Sequence, residues 1–265
     1  MADQFPKALF DRLNIPSIKN MFITGHFGSG KTEIAVNLIL QAVAESKRQI
    51  AAGRPDLVPQ GCMPDGTPRK FAIVDVDIVN PYFRSRERQD LFEKEGVRLI
   101  TSSQHAKNAD LPALPGDINA TFDQDDLFSI FDVGGDPDGA RVLARYEENI
   151  SREPYEFYVV VNANRPMTRT PEAAVEYIRA IEFTCGLKAT GIIGNTHLCG
   201  YTTEEEIERG FDYTDKISSL TGLPVVFNAV ERRFTKYLDR EDVLPIDLYM
   251  LKPWEVAGDP EFSKI

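Results

Sequence analysis

Cysteine is scarce: Cys62, Cys185 and Cys199 are the three in 265 residues, and no two form a CxxC pair. That spacing excludes a disulfide framework and a self-contained zinc site, and leaves each thiol to be read as a small buried hydrophobe. Histidine is equally sparse, and His105 and His197 have no neighbours at metal-ligand spacing, so both read as structural. No apolar run approaches the ~20 residues needed to span a bilayer. The start, MADQFPKALF, lacks the basic stretch and apolar core of a secretory signal. The C-terminal region has no basic amphipathic helix of the kind that lies on membranes. The expectation is a cytoplasmic protein without a membrane partner. Positive charge is also in deficit, with 30 Lys plus Arg against 41 Asp plus Glu and a net charge of −11. Nucleic-acid binding runs on clustered cations, so no nucleic-acid partner is expected. The basic runs at Arg84, Arg86 and Arg88 and at Arg232, Arg233 and Lys236 read as solvated helix faces.

What is present is ordinary globular composition, 42% hydrophobic and 27% charged, in a chain long enough to bury a core without staples. Short β-rich apolar runs recur at 21–24, 71–75, 97–101, 127–132, 157–162, 190–194 and 224–228. Their near-continuous apolar character suits strands buried on both faces. Helical patterns fall between them at 31–46, 138–150, 171–184 and 202–220. The third opens with Pro and Glu, and the last with TTEEE, an N-terminal capping sequence. Strand alternating with helix predicts an α/β, three-layer, doubly wound and mostly parallel sheet of about seven strands. No internal repeat is visible. The chain reads as a single domain over 1–265, with inserted loops near 47–70 and 102–126 and a C-terminal tail, 229–265, wrapping over the sheet.

Gly25, His26, Phe27, Gly28, Ser29, Gly30, Lys31 and Thr32 fit G-x-x-x-x-G-K-[ST], and they lie between a predicted strand and a predicted helix. That context defines a phosphate-binding P-loop. Glycines at 28 and 30 let backbone N–H groups turn inward around phosphate oxygens, and the helix N-terminus adds its dipole there. Lys31 would bridge the terminal phosphates and Thr32 would place its hydroxyl on Mg²⁺, with Glu33 in the first helical turn beside them. Three polar groups follow other apolar strands: Asp75 and Asp77, Asp132 with Gly134 and Gly135, and Asn195. They fall at the strand ends where ligands bind in open α/β sheets.

GKTEIAVNLIL, VDVDIVNPYF, FDVGG and NTH resemble the SIMIBI class of P-loop NTPases, near its MinD/ParA/ArsA group, over roughly residues 18–230. The resemblance implies that Asp77 orients the attacking water and that Asp75 lies near the outer shell of the metal. It also implies that Asp132 and Gly135 form the second switch and that Asn195 contacts adenine. Asn195-Thr-His-Leu is not N-K-x-D, which favours ATP over GTP. The group's second P-loop lysine is replaced here by His26, which puts the familiar sandwich-dimer activation in doubt. Arg84 and Arg86 are candidate arginine fingers, and the segment Asn162 to Pro166 reads equally as a cleft wall or as a helix-start loop.

The expected function is a slow Mg-ATPase, with Lys31 and Asp77 catalytic and Thr32, Asp75 and Asp132 around the metal. It would act as a nucleotide-dependent switch toward a protein partner or a second copy. The resemblance further implies service in assembling or activating a metallo- or redox enzyme. Two alternatives stand beside it. One is a small-molecule kinase or ATP-dependent ligase whose acceptor pocket is lined by Asp77, Asn80, Tyr82 and the 102–126 loop. The other is a binding module that hardly turns over.

Overall fold

The computed structural model describes residues 18–53, 68–77, 88–101, 116–238 and 240–250. Among these residues eight strands form one sheet: β1 Asn20–Thr24, β2 Lys70–Asp75, β3 Val97–Thr101, β4 Leu127–Asp132, β5 Glu156–Val161, β6 Gly191–Gly194, β7 Val225–Glu231 and β8 Val243–Ile246. Their order is β3-β2-β4-β1-β5-β6-β7-β8, and every neighbouring pair is parallel. The doubly wound parallel sheet expected from the sequence is therefore present, with one strand more than the count of about seven. The eighth comes from the expected wrap-around tail, where Val243 to Ile246 pair with Asn228 to Glu231 at the sheet edge.

The helices are α1 Lys31–Ala51, α2 Gln89–Glu95, α3 Gly116–Asp123, α4 Pro137–Ala144, α5 Glu147–Ile150, α6 Pro171–Cys185 and α7 Glu204–Thr221. Strand residues alternate between the two faces, as the two-residue period of a strand requires. Met21 and Ile23 of β1 point toward α1 and α2, packing with Ile34, Leu38, Ile39 and Phe92. Phe22 between them points the other way, toward Ile118, Ala140, Leu143 and Ile181. Val159 and Val161 of β5 meet Ala174, Ile178 and Ile217 on that second face. These are the three layers, helices over sheet over helices. Burial on both faces explains why the strands read as continuous apolar runs: all six residues of β4 are buried.

Two irregular stretches prove partly regular. Helix α1 runs on to Ala51, inside the first expected loop, and α3 occupies part of the second. Residues 54–67 and 102–115 of these stretches, with Cys62 and His105 among them, and Asn80, Tyr82, Arg84 and Arg86 lie outside the described residues. Among the described residues no helix is long and apolar enough to cross a membrane.

Candidate functional site

Strand β1 sits mid-sheet between β4 and β5. The strands that follow it go first to one side, as β2 to β4, and then to the other, as β5 to β8. The carboxyl ends of strands around such a reversal form the ligand crevice of open α/β sheets. The loop from Gly25 to Gly30 leaves β1 at this point and turns into α1. Gly28 and Gly30 take φ of 73° and 91°, the left-handed region that a side chain disfavours. The Ser29 N–H donates to the His26 carbonyl at 2.8 Å and closes the turn. Helices α4, α6 and α7 begin with Asp136, Thr170 and Thr203, whose side chains accept first-turn N–H groups. Helix α1 has Gly30 in that place and no side-chain cap. Its first N–H groups are therefore free to serve an anion, which the helix dipole also favours.

Five predicted residues converge at the mouth of this loop. Lys31 Nζ donates to Asp77 Oδ2 at 2.6 Å and lies 3.8 Å from Asp132 Oδ1. Thr32 Oγ1 donates to Asp132 Oδ2 at 2.7 Å. Asp75 Oδ1 accepts the backbone N–H of Asp77 at 3.1 Å and so fixes the turn after β2. All five side chains, Lys31, Thr32, Asp75, Asp77 and Asp132, are buried. Burial would lower the Lys31 ammonium, but Asp132, Asp77 and Asp75 outweigh it and hold it above its usual value. Burial, reinforced by Asp132, pushes the Asp75 carboxyl up to about 7. Asp132 is raised as well, by burial, against the opposing pull of Lys31 and the Thr32 hydroxyl. One lysine thus compensates three crowded carboxylates.

The donor set fits a magnesium nucleotide. Asp132 Oδ1 is buried and has no hydrogen-bond partner, although Oδ2 is fully engaged with Thr32. A hydroxyl and a carboxylate at 2.7 Å from each other are hard oxygen ligands, directly or through water, of the kind Mg²⁺ takes alongside phosphate oxygens. Among the described residues no group of three His, Cys, Asp or Glu side chains forms a metal cage, so such an ion would depend on phosphate and water for its remaining ligands.

The turn after β4 is held through its backbone by β1 and α6. Thr24 Oγ1 donates to the Gly134 carbonyl at 3.1 Å, and Tyr177 OH donates to the Gly135 carbonyl at 3.0 Å. Gly135 faces the Gly25 carbonyl so closely that a Cβ would overlap it, and a Cβ on Gly134 would stand 2.7 Å from Gly139 Cα. These glycines are required by space.

Three further predicted residues stand apart from this cluster. The His26 ring packs edge-on against Tyr177, with centroids 5.7 Å apart, and lies aside from the lysine and carboxylates. Glu33 turns its carboxylate away from the loop: it accepts the N–H groups of Tyr249 at 2.7 Å and Met250 at 3.1 Å. Burial raises it to about 7. Asn195, at the end of β6, is buried and donates to the Ser29 carbonyl at 2.7 Å, bracing the P-loop from below. Phe27 is exposed at the tip of the loop.

Near Asn195 lie His197, read as structural from the sequence, and Arg165, from the segment read equally as a cleft wall or a helix-start loop. His197 lies near Gly30, and burial, with the charge of Arg165, brings its imidazole down to about 4. Arg165 itself rests on Gly28. The only signal for it was the unusual NANRP after β5, which reads equally well as a turn.

No family model matches the chain, and no curated protein matches it. Among solved structures it is similar to the cell division protein FtsY from Thermotoga maritima, at 19% identity and a TM-score of 0.49, over 85% of this chain and 68% of that one. It is similar to the signal recognition particle 54 kDa protein from Aeropyrum pernix in complex with GDP, at 18% identity and a TM-score of 0.44, over 84% of this chain and 45% of that one. A third is FlhF complexed with GMPPNP and Mg²⁺, at 13% identity and a TM-score of 0.46, over 84% and 72%. This chain spans less than half the length of the 54 kDa protein. The likeness is one of overall α/β architecture, with each TM-score below 0.5. None of these three is a MinD, ParA or ArsA protein, so that finer resemblance gains no support from them.

Proposed function

We propose that this chain is a SIMIBI-class P-loop NTPase that binds Mg-ATP, hydrolyses it slowly and uses the change as a switch toward a protein partner. The observation that carries this reading is the convergence of Lys31, Thr32, Asp77 and Asp132 at a glycine loop leading into an uncapped helix. The loop N–H groups and the Lys31 ammonium would hold the phosphates, with Lys31 exchanging its carboxylate partners for phosphate oxygens. Thr32 and Asp132 would hold Mg²⁺, which supplies charge neutralisation across the terminal phosphates. Asp77, released from Lys31, would orient and deprotonate the attacking water. The turns after β2 and β4 are joined by the Val76 N–H to Asp132 carbonyl bond of 3.1 Å. A change at one acid is therefore felt at the other, which is the coupling a switch needs.

The choice of ATP rests on the segment after β6. An acid three residues beyond Asn195 would read the guanine amino edge, and Leu198 stands there, 40% exposed. Binding and turnover with Mg-ATP and Mg-GTP test both parts. ATP-preferring binding that requires Mg²⁺ for full affinity, with slow ADP release, is expected. Equal affinity for both nucleotides would remove the base argument, and no nucleotide binding at all would remove the site.

A further inference from the structure

We propose that Arg165 is a second phosphate-contacting cation of this site, reaching the nucleotide across the outer face of the P-loop; the inference rests on the nucleotide-site reading above. Its guanidinium lies flat against the loop: a Cβ on Gly28 would come within 2.9 Å of Cζ, 3.0 Å of Nε and 3.2 Å of Nη1. Gly28 is at positive φ, so the loop backbone and the arginine approach each other with no side chain between them.

The guanidinium is uncommitted. Its Nε is buried without a hydrogen-bond partner, and no carboxylate forms an ion pair with Arg165 among the described residues. Arg48, Arg209, Arg232 and Arg240, by contrast, each hold a carboxylate at 3.0 Å or less. A planar five-donor group held without an acceptor, beside an anion-binding loop, has the chemistry of a phosphate ligand.

The backbone that presents it is held from several sides. Asn162 Oδ1 accepts the Asn164 N–H at 2.9 Å, and the Asn162 carbonyl accepts the Arg165 N–H at 3.1 Å. Thr196 accepts the Ala163 N–H at 3.2 Å, and the Asn164 amide donates to Glu206 at 2.9 Å. Pro166 follows and opens a 3₁₀ turn. Such a braced turn keeps the arginine in place before ligand arrives, which reduces the ordering cost of binding.

Charge balance calls for this group. The Lys31 ammonium is shared between Asp77 and Asp132, and His26 is packed on Tyr177. Against a magnesium-bound polyphosphate, Arg165 is the described cation beside the loop that carries no carboxylate of its own.

The test is equilibrium binding of fluorescent ATP and ADP to the full chain and to Arg165→Gln and Arg165→Lys, across a range of KCl. Arg165→Gln should weaken both nucleotides by roughly 10-fold or more, the loss of a charge-assisted contact, and should flatten the salt dependence. Arg165→Lys should keep the salt dependence while losing part of the affinity. Thermal melts without nucleotide should leave both variants near wild type. In wild type, Mg-ATP should shield Arg165 from phenylglyoxal, read by mass spectrometry, a result independent of how the variants fold. Unchanged affinity and salt slope in Arg165→Gln, or no protection of Arg165, overturns the proposal. So does an affinity loss matched by a collapse of the ligand-free melt with no protection. Failure of wild type to bind either nucleotide would instead strike the site reading on which this inference stands.

Discussion

Replacing Lys31 by Met keeps most of the side-chain stem and deletes the one charge that compensates three buried carboxylates. Asp77 would lose a 2.6 Å partner, and Asp132 a cation at 3.8 Å. Breaking a buried ion pair by removing one member costs about 3–5 kcal/mol, because the other charge is left without compensation. A loss of about 3 kcal/mol is expected at pH 7.5, or roughly 6–12 °C in Tm for a domain of this size. The loss should depend on pH in a defined direction. Asp75 is raised to about 7 by burial and Asp132. A carboxyl raised above its unfolded value of ~3.9 contributes stability that is fully present below that value and fades as pH rises through the folded one. Removing Lys31 raises these carboxyls further, so the variant is penalised above pH 7 and recovers as they take up protons toward pH 4.5. Lys31's own raised value contributes fully and evenly across this window and adds no pH dependence to it, since that contribution fades only above its ordinary range. Urea unfolding of the ligand-free protein at pH 4.5, 6 and 7.5 reads the effect as a shift in midpoint at constant slope. Equal stability of variant and wild type at pH 7.5, or an equal deficit at all three pH values, would refute the charge argument.

Gly135→Ala should cost roughly 2 kcal/mol by overpacking against the Gly25 carbonyl, while Gly200→Ala, where a Cβ meets nothing within 4 Å, should be near neutral; matched urea midpoints would show that the P-loop yields. Glu33 is raised to about 7 by burial, so its contribution to stability fades as pH rises from ~4.3 through 7. Glu33→Gln should flatten that decline, and an unchanged pH profile of Tm would count against it. His197 is lowered to about 4 by burial and Arg165, so its contribution is present above ~6.5 and disappears as pH falls through 4. His197→Gln should make the protein relatively more stable at pH 4.5 than at pH 7.5, and a constant difference between variant and wild type would refute the assignment.

The glycine loop, the α/β class and the strand-end acids were legible in the sequence because each is a local signal. Gly28, Gly30 and Lys31 have fixed spacing, β4 is apolar throughout because both its faces are covered, and Asp75 and Asp132 stand where apolar runs stop. Strand β8 was not legible: Val243 to Ile246 is four residues long and follows a 3₁₀ turn, so a short apolar run there looked like packing in a tail. The destination of Glu33 was equally hidden, since its partners, Tyr249 and Met250, lie more than 200 residues away and offer backbone N–H groups that every residue has.

Local chemistry in the chain itself determined that a glycine turn would join a strand to a helix. Tertiary structure alone decided which acids share Lys31, that Asn195 props the loop through the Ser29 carbonyl, that His26 stands aside, and that Arg165 lies on Gly28. Those relations depend on strand order, in which β4 and β5 flank β1 although more than 100 residues of chain separate them from it. Sequence spacing does not encode that adjacency. It arises when the whole sheet buries its apolar faces at once.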